Sequence, residues 1–261
     1  MLKALIGFII AGLIIVGGYY AFMSYSTSSS SSTPVATSSA PTVSIHPIEH
    51  ASAVIVWGDT SIYTDPTGDA AKYAQESKPG LIFITDIHPD HFSTTTLAAI
   101  RGDSMIVVPQ AVKDLLPEEL SQNVVVLKNG ELRELAGYLV TAVPMYNYPE
   151  STSSPHTKGR GNGYVIEKDK FRVYVAGDTG PTPEMKSMRK IDIALVPMNL
   201  PYTMSVQDAA SAVVTFKPKR VYPYHYRGAD GLSDVNEFKR IVNEADPSID
   251  VVLLNWYPSG V

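Results

Sequence analysis

The order of the predicted elements constrains the fold of this chain more than any other feature of its sequence. Residues 43–64 hold short β-rich runs bounded by turn residues, and a helical stretch separates the predicted strands 81–85 and 105–108. A second β-rich block covers residues 124–176. Strands and helices alternate again over 183–254, with strands predicted over 193–197, 220–224 and 251–254. Since both β-rich blocks need cover for their apolar faces, the sequence predicts an α/β fold with two β-layers and helices on their outer faces. The repeated order suggests two similar halves, although no repeat is visible in the sequence itself.

An uncharged apolar run, Leu5–Met23, lies ahead of this domain and is long enough to cross the roughly 30 Å core of a bilayer. The sequence therefore predicts a transmembrane anchor over residues 1–23, with a cleaved signal peptide as the alternative. Lys3 is the only charged residue before residue 46, which predicts a single-pass membrane protein whose folded domain is extracytoplasmic. Residues 24–42 are rich in Ser, Thr, Pro and Ala, which is typical of a flexible linker. The folded domain is then predicted over residues 43–261.

Charge and cysteine content exclude several classes of function. The chain has 21 Lys and Arg against 26 Asp and Glu, and it has no basic cluster, so binding to a nucleic acid is not expected. Because it has no cysteine, disulfide scaffolds, thiol nucleophiles and thiolate metal sites are excluded. Any metal must therefore be held by His and carboxylate groups. The expected partners are a small-molecule or lipid-like substrate and, through the N-terminal helix, a membrane.

The densest group of potential metal ligands follows the apolar strand 81–85. It consists of Asp86, His88, Asp90 and His91. Asp86 and His88 are two residues apart and point the same way at an extended strand exit, whereas Asp90 and His91 follow the bend at Pro89. One loop could thus serve two metals. The alternative is a surface turn in which Asp90 caps the following helix and the His residues are solvated.

Three later residues also flank predicted strands. His156 precedes the strand 163–167, Asp178 follows the strand 171–176 and His225 follows the strand 220–224. Taken singly, each has an ordinary explanation: a solvated loop His, a turn-forming Asp and a packed His at a strand end. Their spacing at intervals of an α/β unit predicts that they converge on one rim of the fold. Carboxylate and imidazole groups suit Zn, Mn or Fe.

Together these residues resemble the metallo-β-lactamase-fold hydrolases of the beta-lactamase superfamily. The resemblance covers residues 45–261 and is nearest to the branch typified by ascorbate-6-phosphate lactonase and N-acylphosphatidylethanolamine phospholipase D. Further matching segments are Glu49–Ser52, Thr64–Pro66, Gly161–Ile166 and Pro201–Met204. The resemblance implies a four-layer αββα sandwich.

The resemblance also implies a site for two divalent metal ions, with Zn as the expected metal and Mn or Fe as alternatives. The implied ligands are Asp86, His88 and His156 for one metal, Asp90, His91 and His225 for the other, and Asp178 as a bridge. Members of the family usually have His where this chain has Asp86, which gives the first metal a more anionic shell or weakens that site. His50 matches a family motif that implies support of the ligands or contact with the substrate. His46 matches no role.

The implied reaction is hydrolysis of an ester, lactone or phosphodiester by a hydroxide held between two metals. Asp90 and Asp178 are the implied catalytic residues, with Asp90 orienting the hydroxide. Candidates for a leaving-group acid are Tyr202, Tyr226 and His50. A non-catalytic protein that keeps the fold and binds metal is the main alternative, and an iron oxidoreductase is a third, because a fold does not fix chemistry. Lactamases with a Cys ligand are excluded by the cysteine-free sequence.

Overall fold

The computed structural model of the protein describes residues 42–258. The predicted anchor, 1–23, and all but the last residue of the predicted linker, 24–42, lie outside these residues. Within residues 42–258, no helix combines the length and the apolar character needed to cross a membrane. The strands are β1 Val43–Glu49, β2 Ser52–Trp57, β3 Thr60–Thr64, β4 Pro79–Phe83, β5 Met105–Val108, β6 Val124–Val126, β7 Leu132–Leu135, β8 Tyr138–Met145, β9 Gly161–Lys168, β10 Phe171–Val175, β11 Ile193–Pro197, β12 Arg220–Tyr224, β13 Arg227–Gly228, β14 Gly231–Leu232 and β15 Asp250–Val251. The α-helices are α1 Thr94–Ile100, α2 Gln110–Lys113, α3 Pro183–Ser187, α4 Val206–Phe216 and α5 Val235–Ala245.

Two mixed sheets have the same arrangement of antiparallel and parallel strands. The first runs β1-β2-β3-β4-β5-β6 and the second β15-β12-β11-β10-β9-β8-β7. Each begins as an antiparallel meander and continues with parallel strands: β3 to β6 in the first sheet, and β10, β11, β12 and β15 in the second. The hairpin between β9 and β10 turns at Asp169 and Lys170, both with positive φ, as a two-residue loop requires. The suggestion of two similar halves thus agrees with the topology.

Side chains of the first sheet alternate between two apolar environments. Ile55, Phe83 and Val107 point into a core shared with the second sheet. Their neighbours Ile82 and Ile106 point the other way, where they form a separate cluster with residues of α1 and α2, including Leu97 and Val112. Each such fully buried large side chain contributes roughly 1.5–3 kcal/mol of transfer free energy. The period-2 alternation therefore gives the first sheet two apolar faces: one packs against helices and the other against the second sheet.

Helices α4 and α5 pack together and bury their apolar sides against the second sheet. Ala209, Val213 and Phe216 of α4 and Phe238 and Val242 of α5 belong to the core that also contains β10 to β12. Helix α4 begins after Ser205, whose hydroxyl accepts a hydrogen bond from the amide of Asp208 at 3.0 Å. The predicted α/β fold with two sheets and outer helices is confirmed.

Some element boundaries differ from the prediction. β7 was not predicted, because Leu132, Arg133 and Glu134 are exposed and the strand lies at the edge of its sheet. The last strand, predicted over 251–254, is only Asp250–Val251. It pairs with Arg220 and Val221 of β12, the Val252 amide still donates to the carbonyl of Val221, and the chain then leaves the sheet.

Candidate metal centre

The ends of strands from both sheets meet at one edge of the fold. Asp86 comes shortly after β4, Asp178 shortly after β10 and His225 directly after β12. Backbone hydrogen bonds tie these exits together: the amide of Asn162 donates to the carbonyl of Thr85 at 3.0 Å, and the amide of His225 donates to the carbonyl of His50 at 3.2 Å. Carboxyl ends of parallel strands share one edge, which explains why groups far apart in sequence become neighbours.

The loop after β4 folds back on itself and delivers two sets of side chains. The amides of His91 and Phe92 both donate to the carbonyl of His88, at 3.0 and 2.9 Å. This turn reverses the chain, so Asp86 and His91 are fully buried while His88 and Asp90 remain partly exposed at the surface of the site. The predicted redirection of the chain at Pro89 therefore agrees with the structure.

The Asp178 carboxylate lies at the centre of three imidazoles. Its Oδ2 is 3.0 Å from Nε2 of His156 and 3.2 Å from Nε2 of His91. Its Oδ1 is 3.1 Å from Nε2 of His225. Asp178 and all three His side chains are buried.

Two further groups complete the cluster. Oδ2 of Asp90 lies 3.3 Å from Nε2 of His225 and 3.1 Å from Nε2 of His50. In addition, Oδ2 of Asp86 lies 2.7 Å from Nδ1 of His88. The seven residues predicted as ligands all fall into three sets. Within each set, the candidate ligand atoms lie within 4.8 Å of one another. These sets are Asp86–His88–His156, His91–Asp178–His225 and His50–Asp90–His225.

The arrangement of donors and acceptors fits a cation. Nδ1 of His91 faces Oδ2 of Asp65 at 2.8 Å, and Nδ1 of His156 faces Oδ1 of Asn147 at 3.1 Å. Both rings therefore donate from Nδ1, which leaves the lone pair of a neutral Nε2 directed at the Asp178 carboxylate. Oδ1 of Asp178 is buried and accepts no hydrogen bond within residues 42–258. These lone pairs and the carboxylate repel one another, so positive charge from protons or from a metal is needed to stabilise them at this distance.

The electrostatics of the metal-free cluster agree with this geometry. Burial by itself would lower the pKa of His91, but the carboxylates of Asp178 and Asp65 outweigh it and raise that pKa well above its usual range. Burial would raise the pKa of Asp178, yet the imidazoles of His225 and His91 hold it well below the ordinary value. For Asp90, burial is likewise outweighed by hydrogen bonds from His225 and His50, and its pKa is lowered. The carboxylates are therefore ionised at neutral pH and available as ligands.

Several supporting residues were not identified from the sequence. They are Asp65, Asn147, Asn199, Tyr257 and Arg160, which contact His91, His156, His225, His50 and Asp86 respectively. Asp65 had a signal in the sequence, because it directly follows β3 and so reaches the same edge as Asp86. His46, for which no role was predicted, lies apart from the cluster and contacts Glu76 at 2.9 Å.

A cleft of about 280 Å³ opens over the cluster. His50, His88, Asp90, His156 and Asp178 form its floor, and Tyr202 and Arg227 line it as well. Among the three candidates for a leaving-group acid, Tyr202 and His50 thus reach the cleft. Tyr226 is buried, and its hydroxyl faces the Leu254 carbonyl at 3.5 Å.

Comparison with known proteins decides the family. The sequence model described as "Beta-lactamase superfamily domain" matches residues 44–225, a range that contains every predicted ligand. The chain belongs to this family. A UPF0173 metal-dependent hydrolase of Thermococcus onnurineus is 32% identical over 211 residues, which are 77% of this chain and 93% of that protein. The prediction that the chain belongs to the metallo-β-lactamase superfamily is confirmed. Homologues of the chain are named metal-dependent hydrolases.

Two solved structures of metal-dependent hydrolases have a similar fold. A structure from Parabacteroides distasonis, provisionally assigned as a metal-dependent hydrolase, has a TM-score of 0.71 and 35% identity, covering 82% of this chain and 93% of its own. Igni18, a metallo hydrolase from Ignicoccus hospitalis, has a TM-score of 0.69 and 25% identity, covering 82% of this chain and 95% of its own. These names specify no substrate, so the lactonase-like branch stays a prediction.

Proposed function

We propose that the protein is a hydrolase that uses two divalent cations, expected to be Zn, held by Asp86, His88, Asp90, His91, His156, Asp178 and His225. The observation that carries the proposal is the buried Asp178 carboxylate, which has the Nε2 atoms of three imidazoles within 3.0–3.2 Å and one oxygen without a hydrogen bond. Membership of a family whose members are named metal-dependent hydrolases supports the same function.

When bound, the cations would lower the pKa of water and polarise the bond under attack. The residues of the chain have separate tasks around them. Asp90 lies partly exposed on the floor of the cleft, where its ionised carboxylate can accept a hydrogen bond from the attacking water and orient it. Asp178 is buried and contacts His91, His156 and His225, so its carboxylate would join the two ligand sets. Arg227 is available on the cleft wall for an anionic group of the substrate.

The proposed substrates are esters, lactones or phosphodiesters, as in the ascorbate-6-phosphate lactonase-like branch. Such substrates need no cysteine or serine nucleophile, since water is the attacking group. Tyr202, at the cleft, is positioned to protonate a leaving group.

The test combines metal analysis with a substrate panel on one preparation of the full chain purified in detergent. Metal-free protein is reloaded with Zn²⁺, Mn²⁺ or Fe²⁺ and assayed on ester, lactone and phosphodiester substrates. We expect metal-dependent turnover of at least one class, and a loss of about 100-fold or more in Asp178→Asn. Asp59→Asn, which makes the same change at an exposed turn, is the control. Folded, metal-loaded protein that is inert on every class would favour the non-catalytic metal-binding alternative.

We also propose that residues 1–23 anchor the protein in a membrane, with the hydrolase domain on the extracytoplasmic side. The support is the uncharged run Leu5–Met23 and the single preceding charge at Lys3. Protease added to intact cells stripped of any outer barrier should then digest the domain, and the mature N-terminus should still contain Met1 or Leu2. A mature N-terminus beyond residue 23 would instead indicate a cleaved signal peptide.

A further inference from the structure

Asp86 differs from the other carboxylates of the centre because it is paired with an arginine. Nε of Arg160 lies 3.1 Å from Oδ1 of Asp86, and the terminal Nη2 lies 3.0 Å from Oδ2. The carboxylate is fully buried and the guanidinium is largely buried. This is the bidentate geometry in which an arginine binds a carboxylate most strongly and with the most exact orientation.

The backbone holds this pair in place. The amide of Asn162 donates to the carbonyl of Thr85 at 3.0 Å, which sets the start of β9 beside the end of β4. The two chains approach so closely that a Cβ at Gly161 would lie 2.8 Å from the Thr85 carbonyl oxygen. Arg160 precedes Gly161 and Asp86 follows Thr85, so the contact between the two side chains is built on adjacent backbone.

Protein groups already satisfy the Asp86 carboxylate. Besides the two contacts from Arg160, its Oδ2 has Nδ1 of His88 at 2.7 Å. Nε2 of His156 is 3.9 Å from Asp86 but 3.0 Å from Asp178, so His156 is nearer to the central carboxylate. A cation held by Asp86 would therefore share an oxygen with the positively charged guanidinium of Arg160.

The other ligand set has no such competitor. Within residues 42–258, neither Asp90 nor Asp178 has a Lys or Arg nitrogen within 4.0 Å. Oδ1 of Asp178 is buried without a hydrogen bond, whereas both oxygens of Asp86 have partners. Charge and hydrogen bonding thus favour a cation at one set over the other.

We propose that the two cation positions are unequal. The position formed by Asp90, His91, Asp178 and His225 fills first, and the position formed by Asp86, His88 and His156 fills only at higher cation concentration. Arg160 is the positioning residue that sets this difference, because its guanidinium competes with the second cation for Asp86. The inference rests on the proposed function, since it concerns the same two-metal centre.

The test is a titration of the metal-free full chain with Mn²⁺, monitored by equilibrium dialysis and by electron paramagnetic resonance. In the wild type we expect two binding steps whose dissociation constants differ by about 100-fold or more. Up to one equivalent of Mn²⁺, we also expect the resonance spectrum of an isolated ion. Magnetic coupling between two Mn²⁺ ions should appear only when more than one equivalent has been added. In Arg160→Gln the second step should tighten by about tenfold or more, and the coupled spectrum should appear earlier, while the first step changes by less than about threefold. Each tenfold corresponds to about 1.4 kcal/mol of binding free energy.

Arg220→Gln is the matched control, because Arg220 also binds a carboxylate, that of Asp250 at 2.6 Å, at an exposed position away from the site. If Arg160→Gln fails to fold, the double variant Asp86→His with Arg160→Gln removes the buried pair together and should tighten the second step in the same way. Two equal steps in the wild type, or an unchanged second step in a folded variant, would overturn the inference while leaving the proposed function intact. Absence of any Mn²⁺, Zn²⁺ or Fe²⁺ binding would overturn both.

Discussion

Nδ1 of His91 lies 2.8 Å from Oδ2 of Asp65, and neither side chain is exposed to solvent. Asp65 is held from the other side by Thr85, whose amide and hydroxyl donate to it at 2.7 and 2.6 Å. This chain of contacts fixes the ring orientation of His91 and directs its Nε2 toward Asp178. Carboxylates placed behind ligating imidazoles act in this way in metal sites generally.

Replacing Asp65 should therefore weaken metal binding without touching a ligand. In Asp65→Asn, we expect the affinity for Zn²⁺ to fall by about 10–100-fold, because His91 loses its carboxyl acceptor and its fixed orientation. Competition with a chromophoric chelator measures the change. Asp59→Asn at an exposed turn should bind Zn²⁺ as the wild type does. Wild-type affinity in a folded Asp65→Asn protein would show that His91 is not a ligand.

Metal binding should release protons at neutral pH. The pKa of His91 in the metal-free protein is raised, since the carboxylates of Asp178 and Asp65 outweigh its burial, so the ring is protonated below that raised pKa. A cation must displace this proton, and the apparent affinity should rise with pH until the raised pKa is passed. Asp178 and Asp90, whose pKa values are lowered, are already ionised and contribute no protons over this range.

Calorimetry in two buffers of different ionisation enthalpy measures this linkage. We expect His91 to release about one proton near neutral pH when the cation that it holds is bound. A binding enthalpy that does not depend on the buffer would contradict the prediction.

The sequence predicted the parts of the fold that are buried on both faces. The strands Met105–Val108, Ile193–Pro197 and Arg220–Tyr224 were predicted with their observed bounds, because strands covered on both sides read as continuous apolar runs between turn residues. The edge strand Leu132–Leu135 carries Arg133 and Glu134 and buries only Leu135, so it has little apolar signal.

The convergence of the seven predicted ligands was predictable for a related reason. Asp178 and His225 come soon after neighbouring strands of the second sheet, and strand order brings them to one edge. Asp86 follows β4 of the first sheet and joins them because the end of β4 lies beside the start of β9. Arg160 could not be found in this way. It stands between Gly159 and Gly161 in a loop that reads as solvated, and only the pairing of Asn162 with Thr85 shows that it lies beside Asp86.

The close approach of β9 to the end of β4 should make Gly161 intolerant of a side chain. In Gly161→Ala, the added Cβ would meet the Thr85 carbonyl oxygen at 2.8 Å, and that oxygen already accepts the Asn162 amide. We expect the free energy of unfolding to fall by about 1–3 kcal/mol, as for other overpacked sites. Urea denaturation measures it. Gly80→Ala, also in a strand, would meet a Thr60 methyl at 3.1 Å but no backbone atom nearer than 3.9 Å, and should lower stability less.

His50 should affect turnover more than metal content. Its Nε2 lies 3.1 Å from Oδ2 of Asp90, and its Nδ1 lies 2.7 Å from the hydroxyl of Tyr257. Burial lowers the pKa of His50 more than Asp90 raises it, so the ring is neutral. A neutral ring satisfies both neighbours when Nε2–H donates to Asp90 and Nδ1 accepts from the hydroxyl, and an Nε2 that carries a proton cannot bind a metal.

In His50→Asn we therefore expect kcat to fall by about 100-fold with two metals still bound, because Asp90 loses the donor that orients it. Asn tolerates the positive φ of 49° at this position, so the backbone that accepts the His225 amide should be preserved. Tyr257→Phe removes only the hydroxyl behind the ring and should lower kcat by a smaller factor, about threefold to tenfold. Steady-state kinetics and elemental analysis on the same preparations separate the two roles of His50. Loss of a metal in His50→Asn, in proportion to the loss of turnover, would make His50 a ligand and would require a different assignment of the Asp90 contacts.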